Sequence, residues 1–138
     1  MRPWSDDYRI GIEGIDRQHR MLFTLANDLQ TALDEGRGAQ EYGVLLPILE
    51  RYVRDHFGFE QQCMDLYHCP VAQQNRAAHT TFTARLTAFQ QRYAAHGFEP
   101  AEACTLMAFI DAWLADHICR VDVQLRASIH NASGGATP

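Results

Sequence analysis

Residues 45–67 read LLPILERYVRDHFGFEQQCMDLY. Leu45, Leu49, Tyr52 or Val53, His56, Glu60, Cys63 and Tyr67 recur in this stretch at three- and four-residue steps, the period of one helix face. Two of them do not belong on an apolar stripe. An ionised carboxylate or a bare imidazole among Leu and Val is costly unless something pairs with it. His56 and Glu60 stand one helical turn apart and therefore project toward the same point. The spacing predicts a helix over about 40–66, with Pro47 either in an early turn that bends it or at its start.

Working outward, three more stripes of the same period appear. Before it, Asp16 is a suitable N-cap for a helix over 17–35 that stops at Gly36 and Gly38, with His19, Leu22, Ala26, Leu29 and Leu33 on one face. After it, the run Tyr67-His68-Cys69-Pro70 makes a loop, and Pro70 sits near the first position of a third helix. That helix carries Asn75, His79, Phe82, Leu86, Phe89 and Tyr93, and Gly97 closes it. Pro100 opens a fourth helix with Leu106, Ile110, Trp113, His117, Val121 and Leu125 inward. Met1 to Ile15 form an N-terminal arm, and residues 131–138, NASGGATP, read as a disordered C-terminal tail. Four helices with short connections and no strand-like alternation predict an all-α, antiparallel up-down-up-down four-helix bundle, one domain over residues 1–130.

Composition narrows the function. A chain of 138 residues with 46% hydrophobic content supports one domain with a real core. The formal charge is −5, lysine is absent and arginine is scattered, which argues against nucleic acid. No apolar run approaches a membrane span or a secretory signal. Cys63, Cys69, Cys104 and Cys119 lack a C-x-x-C pairing and read as reduced thiols, which with the lack of a signal points to a cytoplasmic protein.

Six metal-ligand side chains sit within the four stripes: His19, His56, Glu60, His79, His117 and Asp122. A single histidine on an apolar face is commonly a hydrogen-bonded core residue. Four histidines and two carboxylates on facing helices are better read as one buried metal site, and the size of the set suggests two ions. Imidazole with carboxylate and no thiolate favours iron, manganese or zinc. His117 and Asp122 are five apart, which turns them about 140° from each other on an ideal helix. Either the backbone loosens there, as in a π-bulge, or one of the two is not a ligand. His68, His96 and His130 fall in loops or near helix ends and are left out.

The chain resembles the hemerythrin family in its single-domain bacterial form, bacteriohemerythrin. The resemblance rests on Trp4-Ser5-x-x-Tyr8-x-Ile10-Gly11-Ile12-x-x-Ile15-Asp16-x-Gln18-His19, and on Leu22-Phe23-x-Leu25-x-Asn27-Asp28-Leu29. It continues through Tyr52-Val53-x-x-His56-Phe57-x-x-Glu60 with Met64 beyond, His79-x-x-Phe82, and Trp113-Leu114-x-x-His117-Ile118-x-x-x-Asp122. The five-residue spacing is also the family's, which restores Asp122 as a ligand. The resemblance implies two non-haem iron ions, oxo- or hydroxo-bridged. His19 and His56 would bind one, His79 and His117 the other, and Glu60 and Asp122 would bridge them. Dioxygen or a related small ligand would bind at an open position, with Leu114 and Ile118 walling an apolar pocket.

One departure matters. The family normally has H-x-x-x-H on its third helix, and here the first position is Asn75, in Asn75-Arg76-Ala77-Ala78-His79. Its amide could coordinate weakly, hold a water, or hydrogen-bond nearby. With this departure the leading reading is dioxygen carriage, storage or sensing at a more open site, and the balance tilts toward binding with catalysis left open. The alternative is a di-iron redox enzyme or sensor, an oxidase, peroxidase or scavenger of nitric oxide or peroxide, with rapid autoxidation. A sensor would need a separate redox or signalling partner.

Overall fold

The computed structural model describes residue 5 and residues 8–117 and 122–135, without the side chains of 122, 123 and 131–135. It is all-helical. Five helices follow in order: α1 Glu13–Asp34, α2 Gly38–Leu66, α3 Ala72–His96, α4 Pro100–Asp116 and α5 Asp122–Gly135, with no strand among the described residues. α1 packs on α2 and α4, and α2 on α3, so the helices form a bundle.

The stripes read from sequence become its interior, with local corrections. On α2 the ambiguity between Tyr52 and Val53 resolves to Val53, while Leu46 and Met64 are buried where Leu45 and Tyr67 were expected. α2 also runs straight through Pro47, its tenth residue, so proline neither starts the helix nor lies in an early turn. Pro47 deprives the Gly43 carbonyl of its usual helical donor. The Tyr93 ring lies so close over Gly43 that a Cβ there would collide with it. On α3, Asn75, His79, Phe82, Leu86 and Phe89 are all buried. Gly97 ends that helix at φ +75°, a conformation glycine adopts without steric cost, and Pro100 opens α4.

The start of α1 differs from expectation. The helix begins at Glu13 after an extended Ile12, and Asp16 lies inside its first turns rather than capping it. Gly14 looked like a loop residue. It lies in the first turn of α1, where the Phe59 ring packs on it and leaves 2.9 Å to where a Cβ would stand. Asp16 is fully buried and reaches back up the chain, accepting hydrogen bonds from the backbone N–H of Ile10 at 2.8 Å and Gly11 at 3.3 Å. It ties the incoming segment to the helix.

The fourth stripe is divided into α4 and α5, with residues 118–121 outside the described set, so Val121 and Ile118 are not placed. α5 continues to Gly135, five residues into the segment expected to be a disordered tail. Once a helix is nucleated, each further residue adds a hydrogen bond for little extra entropy, which offsets the poor propensity of Asn-Ala-Ser-Gly-Gly.

Two apolar clusters make the core. The larger joins Leu22, Phe23, Ala26 and Leu29 of α1 with residues from Tyr42 to Phe57 of α2, Phe82 to Phe89 of α3 and Ala103 to Leu114 of α4. The smaller joins Ile10, Ile15, Cys63, Met64, Cys69 and Leu125, with Ile129 and Val71 against it. Arg126 of α5 adds a hydrogen bond to the Arg9 carbonyl. Replacing Asp16 with Ala strands the buried N–H of Ile10, and we expect urea unfolding to report a loss of about 1–3 kcal/mol. A loss under 0.5 kcal/mol would show that water satisfies the chain there.

Candidate metal centre

In chain order, each helix changes from one apolar cluster to the other across polar residues. His19 follows Ile15 and precedes Leu22 on α1, and His56 and Glu60 come between Val53 and Cys63 on α2. Asn75 and His79 come between Ala72 and Phe82 on α3, and His117 between Leu114 and Leu125. Every one is buried: His19, His56, Glu60 and Asn75 are fully enclosed, His117 is 2% exposed and His79 is 7% exposed.

Glu60 is the centre of this layer. Its Oε2 lies 3.3 Å from Nε2 of His19 and 3.3 Å from Nε2 of His56. Its Oε1 lies 3.2 Å from Nε2 of His79 and 3.0 Å from Nε2 of His117. The carboxylate thus sorts four histidines into two pairs, one per oxygen. The two nitrogens of the first pair are 3.1 Å apart. Donors bound at about 2.1 Å to one ion, at right angles, stand about 3 Å apart, which is the spacing seen here. Ligand atoms of His19, His56, Glu60 and His117 all lie within 4.8 Å of one another, a group able to hold a metal ion. Nε2 of His79 is buried beside Glu60 yet makes no hydrogen bond with it, so proximity there is not hydrogen-bond geometry. Converging lone-pair donors with an unmet nitrogen fit a cation.

The protonation states agree. Burial lowers His56 to about 4, against the opposing pull of Glu60. Burial lowers His79 as well, with His117 adding to the effect. For Glu60, burial pushes the carboxyl up, but the facing His117 and His56 and the hydrogen bond with His19 outweigh it and hold the group well below the usual carboxylate range. Neutral His56 and His79 beside an ionised carboxylate are forms that bind metal.

Several supporting side chains were not singled out from sequence. Gln18 Oε1 accepts the Nδ1–H of His56 at 2.9 Å, which leaves the Nε2 lone pair aimed at Glu60. Phe57 stacks on His79 with centroids 3.7 Å apart and planes within 6°, and Trp113 stacks on His117 at 4.2 Å and 13°. Trp113 was read from sequence as a core position and Phe57 only as part of the family resemblance, so nothing local marked either as a ring support. Asn75 donates its amide N–H to Glu60 Oε1 at 3.0 Å, while its own Oδ1 is buried without a hydrogen bond.

Of the residues proposed from sequence, His19, His56, Glu60, His79, His117 and Asn75 come together. Asp122 is the first residue of α5, but its side chain lies outside the described set, and Ile118 lies outside it altogether. Leu114 is buried in the larger cluster three residues before His117. The backbone at His117 takes the wider π form, the loosening that a five-residue ligand spacing requires. His68, His96 and His130 are exposed.

Comparison with known proteins identifies the family. The model of the hemerythrin HHE cation binding domain matches residues 10–125. The chain belongs to the hemerythrin family. A bacteriohemerythrin of Stenotrophomonas maltophilia is 30% identical over 115 residues, covering 83% of this chain and 72% of that protein. One from Pseudomonas aeruginosa is 26% identical over 118 residues, with 83% and 72% covered. One from Clostridium acetobutylicum is 23% identical over 125 residues, covering 88% of this chain and 96% of the relative. No helix among the described residues is long and apolar enough to cross a membrane.

The shifted groups set a pH dependence. Between about pH 6.5 and about 4 the unfolded chain takes up a proton at His56 that the folded protein refuses, so stability falls as pH falls. Glu60, held low, adds a loss of the same sign below about 4.5. For metal-free protein, urea unfolding at pH 7.5 and pH 5 should differ by about 2 kcal/mol, and His56→Gln should flatten that difference. An identical stability at both pH values would mean that folded His56 takes up the proton as readily as the unfolded chain does.

Proposed function

We propose that this protein holds two non-haem iron ions, oxo- or hydroxo-bridged, and binds dioxygen reversibly for carriage, storage or sensing. The observation that carries the reading is Glu60, whose two oxygens each face a different pair of histidines. His19 and His56 would hold one ion, His79 and His117 the other, and Glu60 would bridge them with Asp122 supplying the second bridge. The finer topology follows the same logic. The alternation of α1, α2 and α3 between the two apolar clusters supports antiparallel neighbours, with α4 and α5 together as the fourth leg and the segment before Glu13 as an arm.

When bound, the iron pair supplies an open coordination position and the electrons that hold dioxygen. The chain supplies everything else. Gln18 keeps His56 in one tautomer, Phe57 and Trp113 fix the planes of His79 and His117, and Leu114 with Ile118 would wall the pocket against water. The site has no spare buried acid or base among its described residues beyond Glu60, which favours binding over catalysis. Iron loaded without air should reach two ions per chain. The visible absorption of that protein should then rise with air, fall on deoxygenation, and return on re-exposure. One ion per chain, or a single irreversible change, would overturn the reading.

Asn75 supports the second reading, a redox enzyme or sensor that autoxidises rapidly. We take Asn75 to stand where the family has a ligand histidine. As placed, its N–H donates to the bridging carboxylate rather than presenting a lone pair to a cation. That hydrogen bond draws electron density from Glu60 and leaves the His79 side one imidazole short. Asn75→His should raise metal retention against a competing chelator by about tenfold and slow air oxidation of the reduced protein. Unchanged retention and rate would place Asn75 in a structural role only.

A further inference from the structure

α2 carries a second apolar row that its own bundle does not bury. Leu45, Ile48, Tyr52, Phe59 and Leu66 follow one another at steps of 3, 4, 7 and 7, a heptad period set off from the buried row of Leu49, Val53 and Glu60. Ile48 is 45% exposed, Phe59 37% and Leu66 71%, while Leu45 and Tyr52 are partly buried. Val44 beside Leu45 is exposed too. A surface helix normally turns polar residues to solvent on the side away from the core. A helix that is apolar on two sides has a face to spare.

The two ends of this row are complementary. Near its start a hollow of about 540 Å³ lies between α1 and α2, with Val44 and Leu45 among the residues that line it. At its far end stands Leu66, the most exposed large apolar side chain among the described residues. One end offers a cavity and the other a side chain to fill it. Between them Arg51 and Asp55 are exposed, opposite in charge and one helical turn apart. Neither makes an ion pair among the described residues.

We propose that this face of α2 is a self-association surface, on which a second copy of the chain lays its own α2 antiparallel about a two-fold axis near Arg54. A two-fold contact needs knob and hole, and both charges, on one surface at matching distances from the axis, and this row has them. The axis exchanges the ends, so that each hollow receives Leu66 of the other copy. It also brings Asp55 of each copy to within a turn of Arg51 of the other, which pairs the charges the single chain leaves unpaired. The row from Val44 to Leu66 is ~33 Å long and about one helix wide. That footprint belongs with the smaller specific interfaces, so the dimer forms in a concentration-dependent way. The surface uses none of the histidines of the buried layer and stands without the metal reading.

Sedimentation velocity of the full chain should show monomer at about 5 μM and mostly dimer at about 500 μM. Leu66→Glu and Ile48→Glu should each raise the dissociation constant by about tenfold or more. Both side chains are exposed, so each variant should melt as the parent does. Arg51→Glu should weaken the dimer severalfold, and Arg51→Glu/Asp55→Arg should recover it to within about twofold of the parent, because opposite charges again face each other across the axis. A single monomeric species at the higher concentration would overturn the surface. A dimer that persists in both glutamate variants would also overturn it, since the contact would lie elsewhere. Species that keep growing beyond the dimer would rule out a closed two-fold contact, and a double variant as weak as Arg51→Glu would rule out the antiparallel register.

Discussion

A negative charge sealed inside an apolar bundle governs this structure. Glu60 has no exposed surface, and an isolated carboxylate in such a place would neutralise itself. Its carboxyl is held well below the usual range by the facing imidazoles of His117, His56 and His19, while a fourth, from His79, faces its other side. Each imidazole must be delivered by a different stretch of chain to within about one hydrogen-bond length. The bundle is therefore constrained by its polar layer as much as by its apolar ones.

That layer needs a rigid frame. Apolar clusters on either side of it hold the helices, and the aromatic rings of Phe57 and Trp113 limit how His79 and His117 can rotate. Close approach matters more than bulk at several points. Gly14 admits Phe59, Gly38 admits Phe98 and Leu33, and Gly43 admits Tyr93, so that helices meet where a Cβ would intrude. Asp16 performs a related service at the edge of the smaller cluster, binding the segment before α1 through two backbone N–H groups. The layer is least covered at His79, the most exposed of its four histidines.

Asn75 shows how a single residue divides the site without altering its fold. It occupies a fully buried position on α3, one turn before His79, where a residue of imidazole type would point at the same space. Instead its amide joins the carboxylate as a donor. The His19–His56 side of Glu60 is thereby met by imidazoles alone, and the other side by two imidazoles and an amide. Two halves of one carboxylate thus have different surroundings, which is the physical basis for expecting two unlike ion sites.

Much of this was legible in the chain itself. Helix periodicity placed His19, His56, Glu60, Asn75, His79 and His117 on inward faces, because residues three and four apart share a face whatever the helix packs against. Gly97 and Pro100 marked their boundary through their own backbone preferences. The expected arm over Met1 to Ile15 instead turns helical from Glu13, and Gly14 there lies against a ring 45 positions away in sequence, a contact no local pattern reports. The sequence by itself determined which donors exist and which side of each helix carries them. Only the tertiary structure decided that Oε2 of Glu60 meets His19 and His56 while Oε1 meets His79 and His117. Those contacts join residues as far as 57 positions apart, and their distances depend on how whole helices pack, which no local spacing encodes.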